Sequence, residues 1–213
     1  MEDNELALAF SELGAATLGE SGGRPMRARI RPAWTGAHVA APAYPVRCTT
    51  GDNLAVHVAV ERAPAGSVLV VDVGIEREFG YWGEVLTTMA QTRGIAGLVI
   101  DGGVRDVEAL ELHGFPVFSA MIALRGATKT LPGVVGDVAT VGDVDVHRGD
   151  WIVGDVDGVT LVPNDTVDAV LDAGRARSQK ERTLFLELRS GRTTIELLGL
   201  DASPIEEVGD LDR

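Results

Sequence analysis

Two apolar runs, at 68–73 and 98–100, flank a stretch patterned for a helix, and this arrangement restricts the fold more than anything else in the chain. Val68, Leu69, Val70, Val71 and Val73 are interrupted only by Asp72, as expected of a strand buried on both faces. Leu98, Val99 and Ile100 repeat that signature between glycines, in a run too short for a helix. Over 84–93, Val85, Leu86, Met89 and Ala90 recur at the i, i+3, i+4 spacing of one buried helical face, closed by Arg93 and Gly94. Strand, helix and strand at these separations predict a crossover that leaves the two strands parallel.

That prediction also places charge. Asp101, Gly102 and Gly103 read as a turn, and a second helix is expected from near Val104, with Arg105 and Asp106 in its first turn. In a parallel sheet the ligand crevice lies outside the carboxyl ends of the strands. Glu84, Asp101, Arg105 and Asp106 all follow such an end, so these acidic groups and the guanidinium are expected to converge there. The unpaired N–H groups at the start of helix 84–93 point the same way and suit a carboxylate.

The chain has 213 residues, 45% of them hydrophobic, which suits a single domain over 1–213. Leu6, Ala9, Phe10, Leu13 and Ala16 form one stripe of an N-terminal helix within 1–24. A formal net charge of -13 opposes direct contact with nucleic acid and leaves room for a basic protein partner. Cys48 is the sole cysteine, so no intrachain disulfide forms and its expected role is that of a small buried hydrophobe. No basic leader precedes an apolar core, and no apolar run approaches the roughly 18 residues of a membrane span. A cytoplasmic protein without membrane association is the expectation.

Elsewhere, residues 49–53 are expected to cap a helix through Arg62, with Asn53 as N-cap and lining of the crevice as its other possible role. His57, inside that helix, reads as a core or subunit-contact residue. Residues 114–118 read as turn and strand and 134–141 as a strand, while 151–155 and 158–162 form a hairpin around Asp157-Gly158. Asp155 and Asp157 are turn residues here, because the other ligands of a calcium loop are missing. Asn164 is expected to cap a last helix over 164–190, on which Glu181 is placed to pair with Arg177 at i, i-4. Strands alternating with helices, then a β-rich stretch, give α/β layers with a mixed sheet.

Glu84, twenty intervening positions, then Arg105-Asp106 is a spacing that resembles the 4-hydroxy-4-methyl-2-oxoglutarate / 4-carboxy-4-hydroxy-2-oxoadipate aldolases and their RraA-like relatives. The likeness continues through Gly51-Asp52-Asn53, 68–72, 114–118, Gly149-Asp150, 155–159 and Lys180-Glu181. It implies a swivelling β/β/α layered domain of the RraA-like type, assembled as a homotrimer or hexamer, with helix 164–190 packing toward a neighbouring subunit. It implies Mg2+ or Mn2+ held by Asp106 directly and by Glu181 of a neighbouring subunit through water. Gly83, Glu84, Val85, Leu86 and Arg105 would bind a small 2-oxo acid substrate, with Glu84 and Arg105 catalytic.

The chemistry is consistent with those residue types. A 2-oxo acid presents carboxylate and keto oxygens side by side to a hard divalent ion, which then needs one direct carboxylate such as Asp106. The metal stabilises the pyruvate enolate left by bond cleavage, Arg105 adds a cationic fork, and Glu84 moves a proton directly or through water. The implied activity is cleavage of a 4-hydroxy-2-oxo acid, with oxaloacetate decarboxylation beside it. Relatives of the regulator kind instead imply a non-catalytic partner of a basic protein such as a ribonuclease. A third implication is a specialised-pathway enzyme that applies related enolate chemistry to another oxo compound. One departure stands out: where the family commonly has an arginine after the Pro-Val-Phe strand, this chain has Ser119, Ala120 and Met121, with Arg125 and Lys129 later. A smaller or less anionic far end of the substrate is expected from that.

Overall fold

A computed structural model describes residues 3–206, which fall into two units, divided after Gly174. The first unit holds α1 (Asp3–Gly19), β1 (Arg24–Pro25), β2 (Arg31–Pro32), β3 (Val39–Arg47), α2 (Leu54–Arg62), β4 (Val68–Asp72) and β5 (Gly80–Trp82). It continues with α3 (Glu84–Thr92), β6 (Gly97–Val104), α4 (Val107–Leu112), β7 (Val117–Ile122), β8 (Val134–Val135), β9 (Val138–Val141) and β10 (Val144–His147). β11 (Trp151–Asp155), β12 (Gly158–Val162) and the start of α5 (Val167–Arg189) complete it.

A ten-stranded mixed sheet runs β1-β12-β11-β3-β4-β6-β7-β2, with β5 added to β6 and β8 to β3. Its centre, β3-β4-β6-β7, is parallel, and its flanks are antiparallel. β4 and β6 are parallel neighbours with α3 in the connection between them, as the apolar pattern predicts. One sheet face packs Leu69, Val71 and Ile100 against Val56 and Val60 of α2 and Leu86 and Ala90 of α3. The other packs Val70 and Val99 against Val141 and Val146 of the separate β9–β10 hairpin. Strands covered on both faces must be apolar throughout, which is why β4 and the first half of β6 carry no alternation. Phe10 and Leu18 of α1 cover Trp151 and Val162, with Val170 and Leu171 from the start of α5.

The structure corrects several sequence expectations. β6 does not turn at Asp101 but runs on to Val104, buried at every residue. Glycine makes this possible, because a Cβ on Gly103 would meet the Phe79 carbonyl just before β5 and the Ala123 side chain just after β7. α4 accordingly starts at Val107, three residues later than expected. The 134–141 strand is split into β8 and β9 by Gly136, at φ 77°. A 3-10 turn, Asn164–Thr166, precedes α5, and Asn164 makes no side-chain cap. The Asp157-Gly158 hairpin forms as expected, pairing Asp155 with Gly158. Asp155 does turn chemistry, accepting from the N–H of Asp157 at 2.9 Å and from that of Ala15 at 2.7 Å, just past the break in α1 at Gly14.

The second unit, 175–206, consists of the rest of α5 and α6 (Thr194–Leu198). Thr193 and Glu196 close a reciprocal capping box on α6, and Gly199 ends it in the left-handed conformation. Phe185, Leu186, Ile195 and Leu198 are exposed in the single chain. Among the described residues no helix is long and apolar enough to cross a membrane.

Candidate active site

β5 and β6 run side by side, and the backbone N–H of Arg105 still donates to the Trp82 carbonyl at 2.9 Å. Asp106 then takes φ 58° and ψ 36°, a left-handed conformation that a short polar side chain tolerates better than most. This reversal releases the chain into α4 and leaves the Asp106 carboxylate beside the start of α3. Its Oδ2 accepts from the N–H of Glu84 at 3.1 Å and lies 3.7 Å from Arg105 Nε. Gly83 leaves the space: a Cβ there would run into the Asp106 carboxylate and Arg105 Cγ. With φ -169°, Gly83 is ordinary extended backbone, so room and not conformation demands glycine.

A cavity of about 320 Å³ opens at this point, lined among others by Gly83, Val85, Leu86, Arg105 and Asp106. Five of the residues expected to serve the site therefore come together. Glu84 lies between two lining residues, but its side chain is 55% exposed and its Oε1 stands 3.5 Å from His113 Nε2. What Glu84 contributes directly to the arrangement is its backbone N–H. Glu181 belongs to the second unit, where it pairs with Arg177 at 2.9 Å. A larger cleft, about 540 Å³, shares no lining residue with this cavity.

Asp101 is not part of it. The carboxylate is buried within the sheet, accepting from Arg29 Nη2 at 2.7 Å, Arg77 Nε at 2.8 Å and the N–H of Gly142 at 3.2 Å. Burial pushes its pKa up, and the hydrogen bonds from Arg29, Arg77 and Gly142 outweigh that and hold it below the usual carboxylate range. The expectation that all four charges share one crevice is thus corrected, because the glycines after Asp101 continue the strand. Cys48 is no nucleophile: burial first, then the charges of Asp52 and Asp72, push its thiol up to about 12.

Three further lining residues, Asn53, His57 and Lys129, come from outside the 83–106 stretch. Asn53 occupies the N-cap position of α2 but makes no side-chain cap; its Nδ2 donates to the Tyr81 carbonyl at 2.8 Å, so it lines the cavity instead. Asp52 binds the helix start, accepting from the N–H of Leu54 at 2.8 Å. Its other oxygen accepts from Thr128 Oγ1 at 2.7 Å and from the N–H groups of Thr130 at 2.6 Å and Leu131 at 3.1 Å. Burial would raise the Asp52 carboxyl, but the bonds from Thr130, Leu54, Thr128 and Leu131 bring it to about 2. Segment 128–131 is thereby fastened to α2, and Lys129 arrives in the cavity.

His57 is held below its ordinary pKa by burial first and Lys129 second, against the opposing charge of Asp52, so its imidazole is neutral at pH 7. Lys129 lines the cavity, so a cation is present there although the family's arginine is not. Met121 does not line the cavity. The i, i+4 spacing of Asn53 and His57 on one helix is visible in the sequence; nothing there marks Lys129.

Among the described residues no three His, Cys, Asp or Glu side chains cluster as a closed metal cage. Among the residues lining the cavity the one carboxylate is that of Asp106. That suits a hard divalent ion that keeps several waters and completes its shell with substrate oxygens.

The sequence model of the RraA-like family, described as Aldolase/RraA, matches residues 11–161. A protein of Halalkalibacterium halodurans with the provisional name 4-hydroxy-4-methyl-2-oxoglutarate aldolase is 36% identical over 148 residues, 70% of each chain. An uncharacterised protein from Pseudomonas syringae superposes with a TM-score of 0.79 at 25% identity, covering 89% of this chain and 91% of its own. The RNA-processing inhibitor RraA from Thermus thermophilus superposes at 0.64 with 27% identity, over 70% and 92% of the two chains. The mixed sheet, the matched span and the aldolase-named relative agree, and the chain belongs to the RraA-like family of aldolases and RraA proteins.

Proposed function

We propose that this protein is a divalent-metal-dependent lyase that cleaves a 4-hydroxy-2-oxo acid to release pyruvate, with oxaloacetate decarboxylation as a second activity. The observation that carries this reading is the convergence of Arg105, Asp106 and the start of α3 on one cavity. By helix geometry the first-turn N–H groups of α3 lack intrahelical acceptors; that of Glu84 holds Asp106, and those of Val85 and Leu86 are left for the substrate carboxylate. Arg105 places a fixed positive charge where the keto oxygen gains negative charge as the carbon–carbon bond breaks. A Mg2+ or Mn2+ ion held at Asp106 supplies Lewis-acid polarisation of the 2-oxo acid. Glu84, open to solvent, handles a proton through water. Glu181 serves a neighbouring subunit's site through water, in a homotrimer or hexamer.

The test is pyruvate release from a panel of 4-hydroxy-2-oxo acids and oxaloacetate, with magnesium or manganese and after chelation. Turnover that survives exhaustive chelation would eliminate the metal mechanism. The likeness to RraA and the net charge of -13 favour a second reading, a non-catalytic regulator that binds a basic protein such as a ribonuclease. Absence of pyruvate from every substrate, with saturable binding of such a partner, would support that reading instead. Pyruvate release confined to some other oxo compound would support the specialised-pathway enzyme.

A further inference from the structure

Two residues that line this cavity each hold a buried side-chain atom with no hydrogen-bond partner: Asn53 Oδ1 and His57 Nε2. Native proteins rarely leave buried polar atoms unpaired unless a ligand or water completes them. The orientation of the Asn53 amide is fixed, because Nδ2 donates to a backbone carbonyl, which only accepts. Its Oδ1 therefore demands a donor. Asn53 is 5% exposed, so bulk water does not satisfy it. His57 follows four residues later, its N–H bonded to the Asn53 carbonyl at 3.3 Å, and both residues line the cavity.

The charged groups around the pair are Lys129 and Asp52, with Arg105 and Asp106 across the lining. Lys129 disfavours a charged imidazole, and a neutral ring offers one N–H and one lone pair. With the His57 proton on Nε2, an alcohol hydroxyl is the group that suits both atoms, donating its hydrogen to Asn53 Oδ1 while its oxygen accepts from His57 Nε2–H. A carboxylate cannot donate to Asn53, and an ammonium cannot accept from His57. Resting on the lyase reading above, we infer that Asn53 and His57 form a hydroxyl-reading subsite, which positions the 4-hydroxyl of the substrate while Arg105 and Asp106 hold the 2-oxo acid end. In retro-aldol cleavage the C3–C4 bond breaks, its electron pair passes to the enolate of the 2-oxo acid end, and the hydroxyl proton leaves through water to Glu84, so that oxygen becomes the carbonyl of the leaving fragment and its placement sets the bond to be broken. Asn53 and His57 are positioning residues in this scheme.

The inference separates substrates that carry the hydroxyl from those that do not. His57→Leu and Asn53→Leu are assayed for kcat/KM on a 4-hydroxy-2-oxo acid and, in the same preparations, on oxaloacetate, which lacks the hydroxyl. The expected result is a loss of about ten- to a hundredfold on the hydroxy acid with a clearly smaller loss, or a gain, on oxaloacetate, since removing buried groups that want a hydroxyl relieves the penalty on a substrate that lacks one. His57→Gln, which keeps a side-chain N–H, is expected to recover part of the loss. Equal losses on both substrates, or no loss on either, overturn the inference while leaving the lyase reading in place. A wild-type protein inactive on every 2-oxo acid overturns the lyase reading and with it this subsite.

Discussion

The N–H of Glu84 donates to Asp106 Oδ2 at 3.1 Å, which ties the first residue of α3 to the residue that ends the turn after β6. The bond joins positions 22 apart in the chain and fixes the carboxylate from the backbone side. Exchanging the charge of Asp106 without moving it is therefore feasible. Asp106→Asn keeps an acceptor for Glu84 and a residue type that tolerates φ 58°. Divalent-metal-dependent pyruvate release is expected to fall by about a hundredfold or more, a loss of the size seen when one electrostatic group is removed from a site. The thermal midpoint should hardly move. A variant with normal turnover would remove Asp106 from the site.

Gly83→Ala tests the space and not the charge. The added methyl meets the Asp106 carboxylate and Arg105 Cγ, while the extended φ of -169° accepts any residue. The protein should fold with stability changed by about 1 kcal/mol or less, yet lose roughly a hundredfold in activity, as small misplacements at a reacting centre do. Unchanged kcat/KM would show that the positions of Arg105 and Asp106 are not critical.

Asp52 makes the fold sensitive to acid. Its carboxyl lies at about 2 in the folded protein against an ordinary 3.8, so its contribution is fully present above about pH 4 and lost as pH falls toward 2. Urea midpoints between pH 5 and pH 2 should drop in the wild type and drop less in Asp52→Asn. At neutral pH Asp52→Asn is expected to be less stable by about 1–3 kcal/mol, because a single amide oxygen cannot serve both the N–H of Leu54 and the donors of segment 128–131. Parallel pH curves for the two proteins would contradict this.

Glu181 is tested by mixing. Arg105→Ala and Glu181→Ala subunits, each of low activity, should recover part of the wild-type rate when refolded together, because some sites then combine an intact Arg105 with an intact Glu181 across the interface. Mixtures no more active than the separate variants, beside an active wild-type control, would confine Glu181 to its pairing with Arg177.

The parallel β4–β6 core and the crossover helix were legible because double-sided burial leaves an unmistakable apolar run, and the Asp157-Gly158 hairpin because its turn chemistry is local. Arg105 and Asp106 were legible through their spacing from Glu84. The course of β6 past Asp101 was not, since glycines mark turns and close strand approach alike, and only the neighbours at Ala123 and Phe79 decide between them. His57 and Lys129 were missed for a related reason. Their meeting depends on the Asp52 bonds to 128–131, a contact between segments 76 to 79 residues apart that no periodicity records.

The Asp101 carboxylate, clasped by Arg29, Arg77 and Gly142, is also expected to order events in time. Its partners lie 72, 24 and 41 residues away, and a threefold longer loop costs about 1 kcal/mol more to close. A carboxylate entering the sheet needs a cation early, so Arg77 is the partner at hand while β6 is being laid down. Arg29 and the Gly142 amide then seal the sheet afterwards. In folding and unfolding rates measured against urea, Arg77→Met should mainly slow folding, and Arg29→Met should mainly speed unfolding. The reverse assignment would place the long-range closure first. One buried charge thus acts as a clock for the chain as well as a clasp.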